Sequence, residues 1–187
     1  HPVYVQLFYG WAMMTPAAFK SLGIAADVDV PPRGKLDRDA NGSPTGEISG
    51  DTATITALFA RLPSPSFEQR VEGTRRFFRE LNRLALTGVI DPGGFGMAPR
   101  DYQALFKVWQ DRTLTLRVAY TVFAQKRGSE LEDYRNLTQI VPMGFGDDML
   151  RFNGIGENVA WGMYNNDNPS EADKAQLYEI AKWAAER

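Results

Sequence analysis

The sequence predicts an α/β fold built on parallel strands, and three observations carry that reading. From Leu86 onward, segments rich in β-branched and aromatic residues alternate with segments of helical periodicity, about 30 residues apart, as βαβ units do. LTLRVAYTVF, residues 114–123, is the strongest strand in the chain. No G-x-G-x-x-G follows the first of these strands and no P-loop occurs, which weighs against nucleotide binding. A doubly wound sheet and a (β/α)8 barrel both fit.

Taken in order, residues 3–8 (VYVQLF) read as a short strand. TPAAFKSLGI follows as a short helix with Thr15 as cap and Pro16 in the first turn. The stretch DVDVPPRGKLDRDANGSPTGEISG is full of turn residues and reads as irregular, and residues 51–61 return to helix. A helix starts at Ser66, with Gln69 completing a capping box and Phe67, Val71, Phe78, Leu81 and Ala85 at helical spacing. LTGVIDPGG is a strand that breaks at Pro92-Gly93-Gly94. A helix over Pro99–Asp111 groups Tyr102, Leu105, Phe106 and Trp109, and residues 129–139 form another. The third strand of the alternating part falls at about 149–157. The last helix is expected to take Asn168 as cap, Pro169 in its first turn and Glu171 in the box, and to carry Leu177, Ile180, Ala181 and Ala184.

Composition narrows the function classes. A chain of 187 residues with 43% hydrophobic and 24% charged residues can bury a core of ordinary size. Its net charge of −2 provides no basic face for nucleic acid, and no apolar run approaches the roughly 20 residues that span a bilayer. Cysteine is absent, which removes disulfides, thiolate ligands and cysteine nucleophiles, and the one histidine is His1. The opening HPVYVQLFYG lacks a targeting pattern and reads as the interior of a longer polypeptide; the compartment stays undetermined.

HPVYVQLFYGWAMMTPAAFKSLGI, then DANGSPTGEI, LNRLALTGVIDPGG and YQALFKVWQDRTLTLRV, together resemble the amidohydrolase family 3 proteins. These are metal-dependent hydrolases of C–N bonds, similar to the N-substituted formamide deformylases. The resemblance implies a partial (β/α)8 TIM barrel, about strands two to four with their helices, plus an irregular α+β insertion. On that template residues 1–62 are the insertion, a substrate-pocket subdomain, and 63–187 the partial barrel. The resemblance also implies a divalent metal, zinc first, in the full-length parent. Its ligands come from an H-x-H motif on strand one, histidines after strands five and six, and an aspartate after strand eight, and none of these lies here. A zinc site takes at least three protein ligands. The chain is therefore expected to be an inactive fragment without a tightly bound metal. The alternative is a non-catalytic α/β module that binds a small molecule or a protein.

Within that template Glu157 is the candidate metal ligand, replacing the bridging carboxylate that strand four commonly supplies, with Gly154 and Gly156 making room. The opposing reading puts Glu157 in a solvated loop. Asp91 ends the second barrel strand, on the face where barrel active sites form, although DPGG serves equally as a plain turn. Tyr9 and Trp11 are candidate substrate-pocket residues, Trp11 standing where many relatives carry histidine; both also suit a core. Asp37, Asp39, Asn41 and Gly42 imitate the start of a calcium loop, but the twelfth place holds Ile48, so a hairpin turn at Asn41-Gly42 is the better reading. GGFG (93–96) offers a weak anion cradle, and YNNDN (164–168) a loop and cap. The expected partners are a small-molecule substrate of the parent, no nucleic acid, no membrane, and further copies recruited through open barrel edges.

Overall fold

The computed structural model describes residues 1–25, 30–94, 97–163 and 168–187. The chain divides into two compact units, His1–Ser64 and Pro65–Arg187.

Unit 1 is more regular than its turn-rich sequence suggests. A hairpin of β1 (Tyr4–Phe8) and β2 (Trp11–Met14) leads into α1 (Pro16–Ser21); β3 (Lys35–Arg38) and β4 (Pro44–Ser49) follow, and then α2 (Thr52–Phe59). The strands form one antiparallel sheet in the order β1-β2-β4-β3. The α+β character expected of residues 1–62 is present, but the turn-rich stretch read as irregular holds β3 and β4, and β2 is a strand that the sequence reading did not assign. Alternation explains the core. Ala12, Met14, Leu36 and Ile48 share one face with register partners Ala12↔Ile48 and Leu36↔Ile48, and they meet Phe19, Ile55 and Leu58 from the helices. Thr15 fixes where strand gives way to helix. Its hydroxyl accepts from Ala18 N–H at 3.3 Å and from Val3 N–H at 3.0 Å, and donates to the His1 carbonyl at 3.1 Å.

The β3–β4 connection is the hairpin turn that the DRDANG motif allowed. Asp39 Oδ1 accepts from the N–H groups of Asn41 (2.8 Å) and Ser43 (2.9 Å), and Gly42 adopts φ 80°. The aspartate that imitates a calcium ligand is occupied as a turn former.

Unit 2 holds α3 (Phe67–Arg83), β5 (Gly88–Asp91), a 3-10 turn (Pro99–Tyr102), α4 (Gln103–Gln110), β6 (Arg117–Val122), α5 (Glu130–Thr138), β7 (Leu150–Ile155), a second 3-10 turn (Trp161–Met163) and α6 (Glu171–Ala185). Three strands pair parallel in chain order, β5-β6-β7. A mixed α/β unit with a parallel sheet is consistent with part of a (β/α)8 wall. Val118, Tyr120, Leu150 and Phe152 point to one side, where Phe78 of α3 and Leu105 of α4 cover them. Among the described residues the opposite row, Ile90↔Ala119↔Arg151, has no such cover, and Ile90 is 70% exposed. Parallel sheets are ordinarily buried on both faces.

Two boundaries move. The α3 helix ends at Arg83, and Ala85, read as a helical residue, turns left-handed at φ 63°. The α6 helix is capped by Ser170, whose hydroxyl accepts from Asp173 N–H at 3.2 Å while Asp173 answers Ser170 N–H, so the Asn168/Glu171 assignment is displaced by two residues. Asn168 itself sits at φ 45°, outside the helix. The cap of α3 is as expected from sequence: Gln69 N–H donates to Ser66 Oγ at 3.2 Å and Ser66 N–H to Gln69 Oε1 at 2.8 Å. Ser66→Ala is expected to lower the stability of unit 2 by about 1 kcal/mol, read from its denaturant midpoint.

Part of the β7 margin is paired. Phe152 N–H donates to the Phe145 carbonyl at 2.8 Å, Gly144 N–H to the Phe152 carbonyl at 3.1 Å, and Asp147 N–H to the Leu150 carbonyl at 2.9 Å. Residues 144–147 thus pair with the outer groups of Leu150 and Phe152, in the first half of the strand.

Candidate functional site

All three parallel strands end on the same side, the side where α/β sheets place their chemistry. Backbone contacts draw the ends together. Gly156 N–H donates to the Val122 carbonyl at 2.8 Å, and Glu157 N–H to the Pro92 carbonyl at 2.7 Å. Thr121 Oγ1 donates to the Asp91 carbonyl at 3.0 Å. The loop after β7 therefore rests on the turn after β5. Both glycines on this route are required. A Cβ on Gly156 would meet the Pro92 carbonyl oxygen at 2.1 Å, and Gly93, at φ 65°, has no room for one beside Thr121. Gly156 thus permits the close backbone approach to Pro92, while Gly154, at φ 115°, lies beside Met143.

Glu157 lies two residues past the end of β7 with its side chain exposed, the solvated-loop position. Asp91 is the last residue of β5, and its Oδ1 accepts Gly93 N–H at 2.9 Å, the turn reading of DPGG. Its register partner is Tyr120, so it shares the helix-covered side of the sheet rather than the Ile90 side. There it neighbours Tyr102, whose hydroxyl donates to the Thr121 carbonyl at 3.0 Å. Burial first, and the Asp91 charge second, push the Tyr102 phenol well above its ordinary range, so it stays protonated as a donor. Tyr9 and Trp11 lie in unit 1, on the β1–β2 hairpin, 51% and 44% exposed, and neither is a core residue. Asp91 and Glu157 are therefore brought to one strand-end cluster in unit 2, whereas Tyr9 and Trp11 belong to the other unit. Of the GGFG cradle, Phe95 and Gly96 lie outside the described residues, as do 164–167 of YNNDN.

The sequence reading passed over Glu130. It opens α5 fully buried, and its carboxylate accepts from Gly128 N–H (2.7 Å), Trp161 N–H (3.1 Å) and Gln176 Nε2 (2.6 Å). Tyr134 works beside it, accepting Ala124 N–H at 3.3 Å and donating to the Val159 carbonyl at 3.2 Å; burial pushes its phenol up to about 12. Trp161 Nε1 donates to the Ala124 carbonyl at 3.0 Å. These bonds fix the 156–163 loop over the ends of β6 and β7. A cavity of about 320 Å³ opens alongside, lined by Tyr102, Phe123, Gln125, Asp133 and Tyr134.

Comparison with known proteins settles the relationship. The amidohydrolase family model matches residues 1–187. The chain belongs to the amidohydrolase family. Among solved structures it is similar to an uncharacterized metal-dependent hydrolase from Pyrococcus horikoshii OT3, with 18% identity and a TM-score of 0.48 over 82% of this chain. That alignment covers 28% of the hydrolase, so the chain spans well under a third of its length. No curated protein matches.

Membership raises the question of a metal, and the residues answer it locally. Among the described residues no three His, Cys, Asp or Glu side chains gather where they could hold an ion. With His1 the sole histidine and no cysteine, the donor set does not fit a zinc-type centre. No chemical step can be built through a metal on these residues alone.

Proposed function

We propose that this amidohydrolase chain forms part of a hydrolase acting on a C–N, amide-type bond of a small molecule, and that it contributes a wall of the site rather than the catalytic centre. The observation that carries this is the 2.7 Å bond from Glu157 N–H to the Pro92 carbonyl, which sets an exposed carboxylate at the carboxyl end of a parallel sheet. Family membership supports the reaction class. Glu157 is the carboxylate this wall offers, and Asp91 holds the turn beneath it. The surrounding reading frame tests the reading: an H-x-H motif upstream and two histidines downstream are expected, and a frame without them overturns it. The chain by itself is expected to hydrolyse no amide and to retain no metal through gel filtration. Elemental analysis showing two equivalents of zinc per chain would reverse that second statement.

A further inference from the structure

We propose that the outer face of the β1–β2 hairpin is the contact through which two copies of this chain associate face to face. The register puts Val5 opposite Met13 and Phe8 opposite Trp11, on the side away from the Ala12, Met14 and Ile48 core, with an irregularity between Gln6 and Phe8 at Leu7. Val3, Val5 and Leu7 are each 46% exposed, Phe8 69%, Trp11 44% and Met13 43%. These side chains leave on the order of 500 Å² of apolar surface in water, the upper part of the range that monomers expose. A standard interface takes about 800 Å² from each partner, and the roughly 65% that is apolar in homodimers comes to about the same 500 Å². The patch is therefore the size that a second copy of itself would cover.

Its border fits the same occupant. Glu47 pairs with Met13, and Lys35 lies beside Ser49, the partner of Trp11, so an acid and a base border the apolar stripe along its β4 side, on the same face. A two-fold contact lets such a rim complement itself. Residues 144–147 already pair with Leu150 and Phe152 on the rival β7 margin. Two sheet faces stack about 10 Å apart, which suits rings interleaving with Val5 and Met13 of the other copy.

Light scattering behind size exclusion tests the proposal on the whole chain. The expected mass is twice 20.9 kDa at micromolar concentration, falling to 20.9 kDa for Val5→Lys/Met13→Lys with unchanged far-UV circular dichroism. Because the chain has no cysteine, Met13→Cys gives a second readout that does not depend on the charged variant folding. It should form an intermolecular disulfide on oxidation, whereas Tyr178→Cys, 65% exposed on α6, should not. A monomer at every concentration overturns the proposal. So does a dimer that survives Val5→Lys/Met13→Lys but dissociates with Ile90→Lys, a monomer that binds phosphatidylcholine vesicles through this face, or a longer polypeptide carrying these residues that is monomeric and shields Met13→Cys from thiol labelling.

Discussion

Glu130→Ala is expected to destabilise unit 2 by on the order of 3 kcal/mol. The side chain is fully buried and takes three N–H donors from three different places: its own preceding loop, the Trp161 turn and α6. Removing it leaves three partly buried donors without their acceptor, and a donor that loses its partner costs up to about 1–3 kcal/mol, least where water can reach it. The position at the start of α5 adds to this, because the exposed N–H groups of a helix N-terminus favour a carboxylate. Glu130→Gln keeps the volume but turns an NH2 group toward a donor, so about half the loss should remain. Glu132→Ala, two residues along and exposed, should change stability by less than about 0.5 kcal/mol. Thermal melts measure the difference, and hydrogen exchange localises it: the Gly128 and Trp161 amides should lose protection in Glu130→Ala and keep it in Glu132→Ala. Equal melting of both variants would show that the three bonds hold nothing in place.

That network also marks where a single sequence stops being readable. The alternation from Leu86 onward, the Ser66 capping box and the strand around Val118 are encoded within a dozen residues each, so periodicity and cap chemistry reveal them. Glu130 is not, because a glutamate opening a helix has the same local pattern whether it meets water or, as here, a glutamine 46 residues away. The same limit applies in unit 1. β3 reads KLDR, with Leu36 as its single apolar residue, and its strand identity comes from pairing with β4 rather than from its own composition. Asn168 and Ser170 both precede an acid by three residues, so two capping boxes compete in sequence; the backbone decides for Ser170 by turning left-handed at Asn168. Asp91 and Glu157 were legible as strand-end acids. The backbone bond that joins their loops was not, since nothing in GIGEN specifies that its second glycine touches Pro92.

Gly156→Ala tests that junction directly and should cost about 3 kcal/mol. A methyl group there would lie 2.1 Å from the Pro92 carbonyl oxygen and 3.0 Å from that of Gly93, both backbone atoms that cannot rotate away. Relief requires the loop after β7 to lift, which breaks the Glu157 N–H bond to Pro92 and the Gly156 N–H bond to Val122 together. Gly73→Ala is the matched control: it sits in the middle of α3, a Cβ there meets nothing within 4 Å, and helix propensity makes alanine more stable by up to about 1 kcal/mol. The two substitutions add the same methyl group and should move the denaturant midpoint in opposite directions. Hydrogen exchange at the Glu157 amide separates a local lift from general loosening, since only the former leaves the Val118 amide on β6 protected. If Gly156→Ala proves neutral although Glu157 loses its protection, the strand ends are not held by this contact. The exposed carboxylate then has no fixed relation to the turn at Asp91.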